Sequence, residues 1–442
     1  MTDTARMLPA EPDGAPRLAV LDILRGVAIL GILFMNINDM GGPLFGIFLG
    51  DPRLLGWTTA DRIAWWLREV LANGTARCML EMLFGVGMAI LTDRAAMRLG
   101  GWAVLRGYAW RNIVLFAFGL IHVFVLLWPG DILHTYGLAA LIAVLFRTLR
   151  PRLLLVIGLA GATVQLGAVS TMSVTSIQQR AEVAMLRDRV RAGQALTPPE
   201  RKQIATADKR AMERAGDRAQ TRQRIATENA DRTGTARSWA GSAWGAFAYI
   251  QAQLFELFAL WEAAGTMLIG AALYRWGIIQ GQRSRGFYLR TVVIAYAIGL
   301  GLRIWGAWVA TRFDNAPSLF FGFGEYARLA TTLGHVALVN LAVTSVTGAR
   351  LLRPFAAAGR TALTLYILQT LVCLWVLYPP WGLALYGQQG WAALMLTALA
   401  IDAALLLLAA WWVRRFAIAP VEWAWRSIVA RRALPFRLRA AV

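Results

Sequence analysis

Cysteine, histidine and lysine are nearly absent from this chain, which has two, three and two of them in 442 residues. Cys78 and Cys373 stand alone in apolar segments, so neither a disulfide framework nor zinc-ligand spacing exists. No glycine loop for phosphate, no nucleophile elbow and no metal-ligand motif occurs, and no metal is expected. The first apolar run lacks a small-residue cleavage site and carries Asp22 and Arg25, so it reads as a retained span rather than a signal peptide. Residues 1–17 are polar and contain proline, and a disordered tail is expected there. Basic residues are almost all arginine, Lys202 and Lys209 being the lysines, which points to a high-GC bacterial genome and says nothing of mechanism.

What fills the chain is apolar sequence: 58% hydrophobic residues and a mean hydropathy of +0.51. Crossing a bilayer as a helix takes about 20 such residues. The expected fold is therefore an all-α, polytopic integral membrane protein of about ten transmembrane helices with an extramembrane helical hairpin. The spans fall at 18–40, 74–92, 108–128, 131–147 and 152–174, then 255–275, 287–311, 325–347, 361–379 and 390–413. An amphipathic stretch, 61–72, precedes the second, and a Trp/Phe/Tyr-rich stretch, 239–254, precedes the sixth.

A net charge of +20 would suggest nucleic acid in a soluble protein. Here the arginines gather between apolar runs instead, as positive-inside loops require, and nucleic acid is excluded as a partner. Alternate loops are arginine-rich, from Arg94, Arg98, Arg106 and Arg111 to Arg414, Arg415, Arg426, Arg431 and Arg432. The intervening short loops hold little beyond Arg53 and Arg312. This bias predicts a multi-pass protein of the bacterial cytoplasmic (inner) membrane with both termini cytoplasmic. The segment 414–442 is basic and contains APVEWAWRSIVARR, which should lie on the inner leaflet.

The domains expected are thus the tail 1–17, spans one to five over 18–175, a polar insertion over 176–240, spans six to ten over 241–413, and the tail 414–442. The insertion has 14 basic and 8 acidic residues. Gly193 should end one of its helices, and Thr197-Pro198-Pro199-Glu200 should open the next with a capping box. It is either a solvated helical hairpin capping the outer face, or a lid or anionic-lipid contact over a site.

Ionisable and polar groups at membrane depth are costly and usually face a bundle interior or a wet cavity. His122, His134 and His335 all lie in apolar segments. His122 and His134 flank the turn Trp128-Pro129-Gly130-Asp131, and Asp131 is three residues before His134, on one helix face. Asp131 could cap the fourth span; it could also orient a histidine and support its protonated form. His122, Asp131 and His134 are the candidate catalytic cluster. With no serine paired to them, direct base-assisted attack by a substrate is expected over a covalent route.

In the first span Arg25 and Asn36 are 11 positions apart, about three turns, and so share a stripe that could line a path across the membrane. Asn36 joins the catalytic candidates; Arg25, Asp39, Arg77, Glu81, Tyr136 and Gln369 are the substrate-binding ones. Arg77 and Glu81 can pair at i,i+4, and Arg303 and Asp402 are expected as a structural ion pair.

LDILRGVAILGILFMNI, LFGVGMAI, GLIHVFVLLWPGDILHTYGLAAL, GTMLIGAALYRWG, AGRTALTLYILQT and APVEWAWR, in that order, resemble the YeiB-like family of bacterial multi-span membrane proteins. That family looks related to the transmembrane acyltransferase superfamily, which includes heparan-alpha-glucosaminide N-acetyltransferase and bacterial O-acyltransferases. The resemblance implies transfer of an acyl group from cytosolic acyl-CoA to an acceptor across the membrane. Many of the O-acyltransferases carry Arg, ten residues, then His in the first span; Arg25 matches, but Asn36 stands in the His position. That departure places the base at His122 or His134, with Asn36 donating to the developing oxyanion. Acyl-CoA is then the donor substrate, with no tightly bound cofactor, and the acceptor is a hydroxyl or amine. The partners are the bilayer, acyl-CoA and the acceptor, with a homodimer left open. The alternative function is a transporter or channel for a small anionic or lipidic solute.

Overall fold

The computed structural model describes residues 19–314 and 316–437, so the tail expected over 1–17 lies outside the described residues. Among them there is no strand, and the chain is an all-α polytopic membrane protein. It begins with α1 (Ala19–Gly41), the short α2 (Gly46–Leu49), and α3 (Thr59–Leu67), which runs through a π turn (Arg68–Ala72) into α4 (Thr75–Ala96). Then follow α5 (Gly101–Phe124), α6 (Leu133–Ala143), α7 (Pro151–Arg191), α8 (Pro198–Thr233) and α9 (Ala236–Ala252). The second half holds α10 (Phe255–Arg275), α11 (Arg285–Ala310), α12 (Phe320–Val343), α13 (Val346–Arg360), α14 (Ala362–Leu371), α15 (Trp391–Trp412) and α16 (Pro420–Ala430).

All ten expected segments are helical, though they differ in length. Among the described residues seven helices are long and apolar enough to cross a membrane: α1, α3 with α4, α5, α7, α10, α11 and α15. An eighth is reached if α12 and α13, bent by 119° at their junction, count as one. The fourth and ninth segments are short, ending at Phe146 and Leu377. The fourth is packed inside the bundle, α6 burying eight of its 11 residues, and the ninth is partly buried. A helix sheathed by protein need not match the bilayer's thickness.

Close packing is made possible by glycine at the α4–α10 contact. A Cβ on Gly85 would collide with the Met267 carbonyl, and one on Gly270 with that of Met82.

No break occurs at residue 176. The α7 helix runs unbroken for 41 residues, about 60 Å at the helical rise, roughly twice a bilayer core. Gly193 turns the chain with φ +74°. The expected capping box forms, the Glu200 carboxylate accepting from Thr197 N–H at 2.7 Å and from its hydroxyl at 2.9 Å. Exposed pairs such as Arg187–Asp208 join the two helices and contribute little. The firm attachment is at the end of α8. Glu228 accepts from Leu44 N–H at 2.8 Å and Phe45 N–H at 3.0 Å. Arg232 donates to the carbonyls of Met40 (2.7 Å), Asp39 and Gly42 (both 3.1 Å). The hairpin thus satisfies carbonyls that the end of α1 would leave unbonded.

Candidate functional site

The end of α5 and the start of α6 are joined by a tight turn, and two tryptophans pin it. Trp244 donates to the Phe124 carbonyl at 3.1 Å and Trp375 to that of Leu126 at 3.2 Å. Asp131 caps α6, accepting from the His134 backbone N–H at 2.9 Å. The same carboxylate meets both imidazoles: Oδ1 lies 2.6 Å from His122 Nδ1 and Oδ2 lies 2.9 Å from His134 Nδ1. The cap and the orienting contact, alternatives in the sequence, coexist because a carboxylate has two oxygens and several lone pairs.

Three further groups close the cluster. Thr370 Oγ1 on α14 is 2.8 Å from His122 Nε2. The Tyr366 hydroxyl, one turn earlier on α14, accepts from Ile132 N–H at 3.3 Å and reaches Asp131 Oδ1 at 3.5 Å. Its ring meets that of His122 edge-on, with centroids 4.8 Å apart. Glu256 at the start of α10 lies 3.3 Å from His134 Nε2 and accepts from the Thr135 hydroxyl at 2.8 Å. His122 and Thr370 have no exposed surface. Among the described residues no group of three or more His, Cys, Asp or Glu is arranged to hold a metal ion.

A cavity of about 380 Å³ runs from the end of the bundle where α1 starts and α4 ends to Tyr366; His122, Asp131, His134, Thr370 and Glu256 do not line it. Arg25, Arg94, Arg111, Arg360 and Arg426, from five separate stretches of chain, line it there beside Trp425. Deeper walls are apolar, from Ile29, Leu80, Leu83, Ile132 and Leu133, and include Tyr136 and Tyr366. The helix that carries Tyr366 is capped from the mouth. The Glu422 carboxylate on α16 accepts from Leu363 N–H at 2.6 Å and from Thr364 N–H at 3.2 Å.

The expected candidates separate into five places. His122, Asp131 and His134 come together. Arg25, bonded to Asp22 at 3.0 Å, and Tyr136, whose hydroxyl donates to the Arg77 carbonyl at 3.0 Å, line the cavity. Arg77 and Glu81 are 3.7 Å apart, within a buried ionic network with Glu262, Arg328 and Glu325 that joins α4, α10 and α12. Gln369 donates to Asp402 at 3.1 Å and to the Ile29 carbonyl at 3.2 Å, linking α14 to α15 and α1. Asp39 is at the hairpin end of α1, beside Glu228 and Arg232.

Several expectations are corrected. Asn36 does not line the cavity, whose α1 wall runs over Leu21, Asp22, Arg25 and Ile29. The cavity occupies the Arg25 end, and Asn36 lies seven residues beyond Ile29, about 10 Å further along the helix. The shared stripe of Arg25 and Asn36 therefore lines no single path. Asp402 pairs with Gln369 rather than with Arg303. Arg303 donates instead to the carbonyls of Val70, Glu69 and Asn73, which the π turn after α3 leaves without helical partners. Finally, a hydroxyl is paired with a histidine after all, that of Thr370. No motif marks it, since a threonine in an apolar helix usually bonds back to its own turn.

A family model described as "Protein of unknown function (DUF418)" matches residues 273–432. The chain is 28% identical to the uncharacterized protein YxaH of Bacillus subtilis (strain 168), covering 93% of this chain and 94% of that protein. It is likewise 28% identical to the uncharacterized protein YeiB of Escherichia coli (strain K12), covering 95% and 98%. No solved structure matches the chain. These likenesses support a YeiB-like family.

Proposed function

We propose that the chain is an integral membrane acyltransferase, moving an acyl group from acyl-CoA to a hydroxyl or amine acceptor. One observation carries the reading: a single cavity has five arginines at one end and, at the other, a tyrosine in contact with a buried His–Asp pair. Guanidinium groups suit the phosphates of a CoA. Apolar walls suit an acyl chain. An ionised carboxylate can only accept, so Asp131 fixes the His122 proton on Nδ1 and leaves Nε2 as the basic nitrogen. The arginine bias of the loops supports a cavity mouth and both termini on the cytoplasmic side of a bacterial inner membrane, with the hairpin outside.

The second reading is a transporter of a small anionic or lipidic solute. It is favoured by a cavity lined by arginines at one end and closed at the other by Ile132, Leu133 and Tyr366. One experiment separates the two. Purified protein in proteoliposomes is given radiolabelled acetyl-CoA or palmitoyl-CoA together with an extract of bacterial envelope lipids and glycans. Label appearing in an acyl product supports the transferase, and chemically unchanged label accumulating inside supports transport. If neither acyl-CoA binds, the transferase reading is wrong.

A further inference from the structure

Thr370 differs from three other buried threonines of the bundle. Thr92, Thr331 and Thr332 donate to carbonyls one turn back on their own helices, at 2.8 Å each. The Thr370 hydroxyl instead meets the imidazole of a residue 248 positions away, at 2.8 Å. The nitrogen it meets is the one Asp131 leaves basic, so the hydroxyl is the donor and the imidazole the acceptor. Asp131 is itself held by the His134 backbone N–H and the His134 ring. A hydroxyl bonded to a base, with the base oriented by a carboxylate, is the arrangement that activates an alcohol as a nucleophile. Thr370 also lies four residues past Tyr366 on α14, so both sit on one helix face, and Tyr366 is the cavity's lining at that point.

We infer that Thr370 Oγ1 is the nucleophile of a covalent route, an inference that rests on the acyltransferase reading. In the first half, Oγ1 bonds to the thioester carbon and gives its proton to His122 Nε2. The C–S bond breaks, and the CoA thiolate leaves with that proton. In the second half, the acceptor oxygen or nitrogen attacks the threonine ester and gives its proton to Nε2. The ester C–O bond breaks, and Oγ1 takes the proton back. The partition between cavity and hydroxyl is the Tyr366 ring, whose hydroxyl is held by contacts of 3.3 and 3.5 Å and which turns aside for the thioester. Donor and acceptor then need never occupy the site together. CoA can leave by the arginine-lined mouth before an acceptor arrives.

The test uses the full chain in lipid nanodiscs with radiolabelled acetyl-CoA or palmitoyl-CoA and no acceptor. The expected result is a burst of one equivalent of CoA and a matching acyl mass on the peptide containing Thr370, released by hydroxylamine. Thr370→Ser should keep the adduct and Thr370→Val should lose it, with acyl-CoA binding to both variants unchanged as a check on folding. Turnover by Thr370→Val at the wild-type rate, or bound acyl-CoA consumed by the wild type with no adduct on Thr370, overturns the covalent route and leaves the acyltransferase reading standing. Wild-type protein that binds neither acyl-CoA removes both.

Discussion

Gly119 on α5 faces Asp131 so closely that a Cβ there would stand 2.7 Å from the carboxylate Oδ2 and would overlap the His134 backbone nitrogen. The absence of one side chain is therefore what lets α5 and the start of α6 share a carboxylate. Gly119→Ala should push Asp131 off His122 and reduce acyl-transfer turnover by on the order of 10²-fold, as a small misplacement of a catalytic group does. Acyl-CoA binding, measured by calorimetry, should stay near wild type. An unchanged turnover would show that the contact tolerates a methyl group and that the pair is less constrained than its geometry implies.

His122→Ala and the arginines should separate chemistry from binding. Loss of the base should lower turnover on the order of 10²–10⁴-fold with little change in acyl-CoA affinity. Arg25→Ala and Arg111→Ala should do the reverse, weakening donor binding more than the chemical step, because both residues line the cavity mouth. His134→Ala should cost less than His122→Ala. Full activity of His122→Ala would remove it as the base.

The hairpin latch should be worth more than all its exposed pairs. Arg232 lies between Trp239 and Tyr386, 4.4 and 4.3 Å from their ring centres, while bonding three carbonyls of the α1 end. Arg232→Ala leaves Glu228 buried without its ionic partner, which typically costs about 3–5 kcal/mol. The thermal midpoint should fall and tryptic cleavage within 180–218 should quicken. Glu213→Ala, which removes an exposed partner of Lys209, should change neither. Equal effects from the two would mean that the latch holds nothing.

Topology can be read at one position. Cys78 and Cys373 are buried, so an Ala205→Cys variant offers an impermeant maleimide a single accessible thiol. Intact cells should label at once. Labelling only after the inner face is opened would invert the orientation and place the cavity mouth outside.

The sequence by itself determined which stretches are helical, but not every end, since α7 runs on to Arg191 past the expected stop at 174. Apolar runs became helices because backbone groups in lipid must bond internally. Thr197 and Glu200 formed their capping box, and the Trp128–Asp131 turn made the meeting of His122 with Asp131 an expectation, because these relations act within a few residues. Only the tertiary structure decided what meets across the bundle. Thr370 reaches His122 over 248 positions and Glu228 reaches Leu44 over 184. Arg303 bonds the carbonyls of a π turn, where charge matching had pointed to Asp402. The cavity opened at the Arg25 end of α1 rather than near Asn36, although both residues lie on one stripe. Hydropathy specifies that a helix be buried and which residues share its face. Which helix lies against that face is set by close packing at glycines and by buried polar partners, and neither is visible until the helices are assembled.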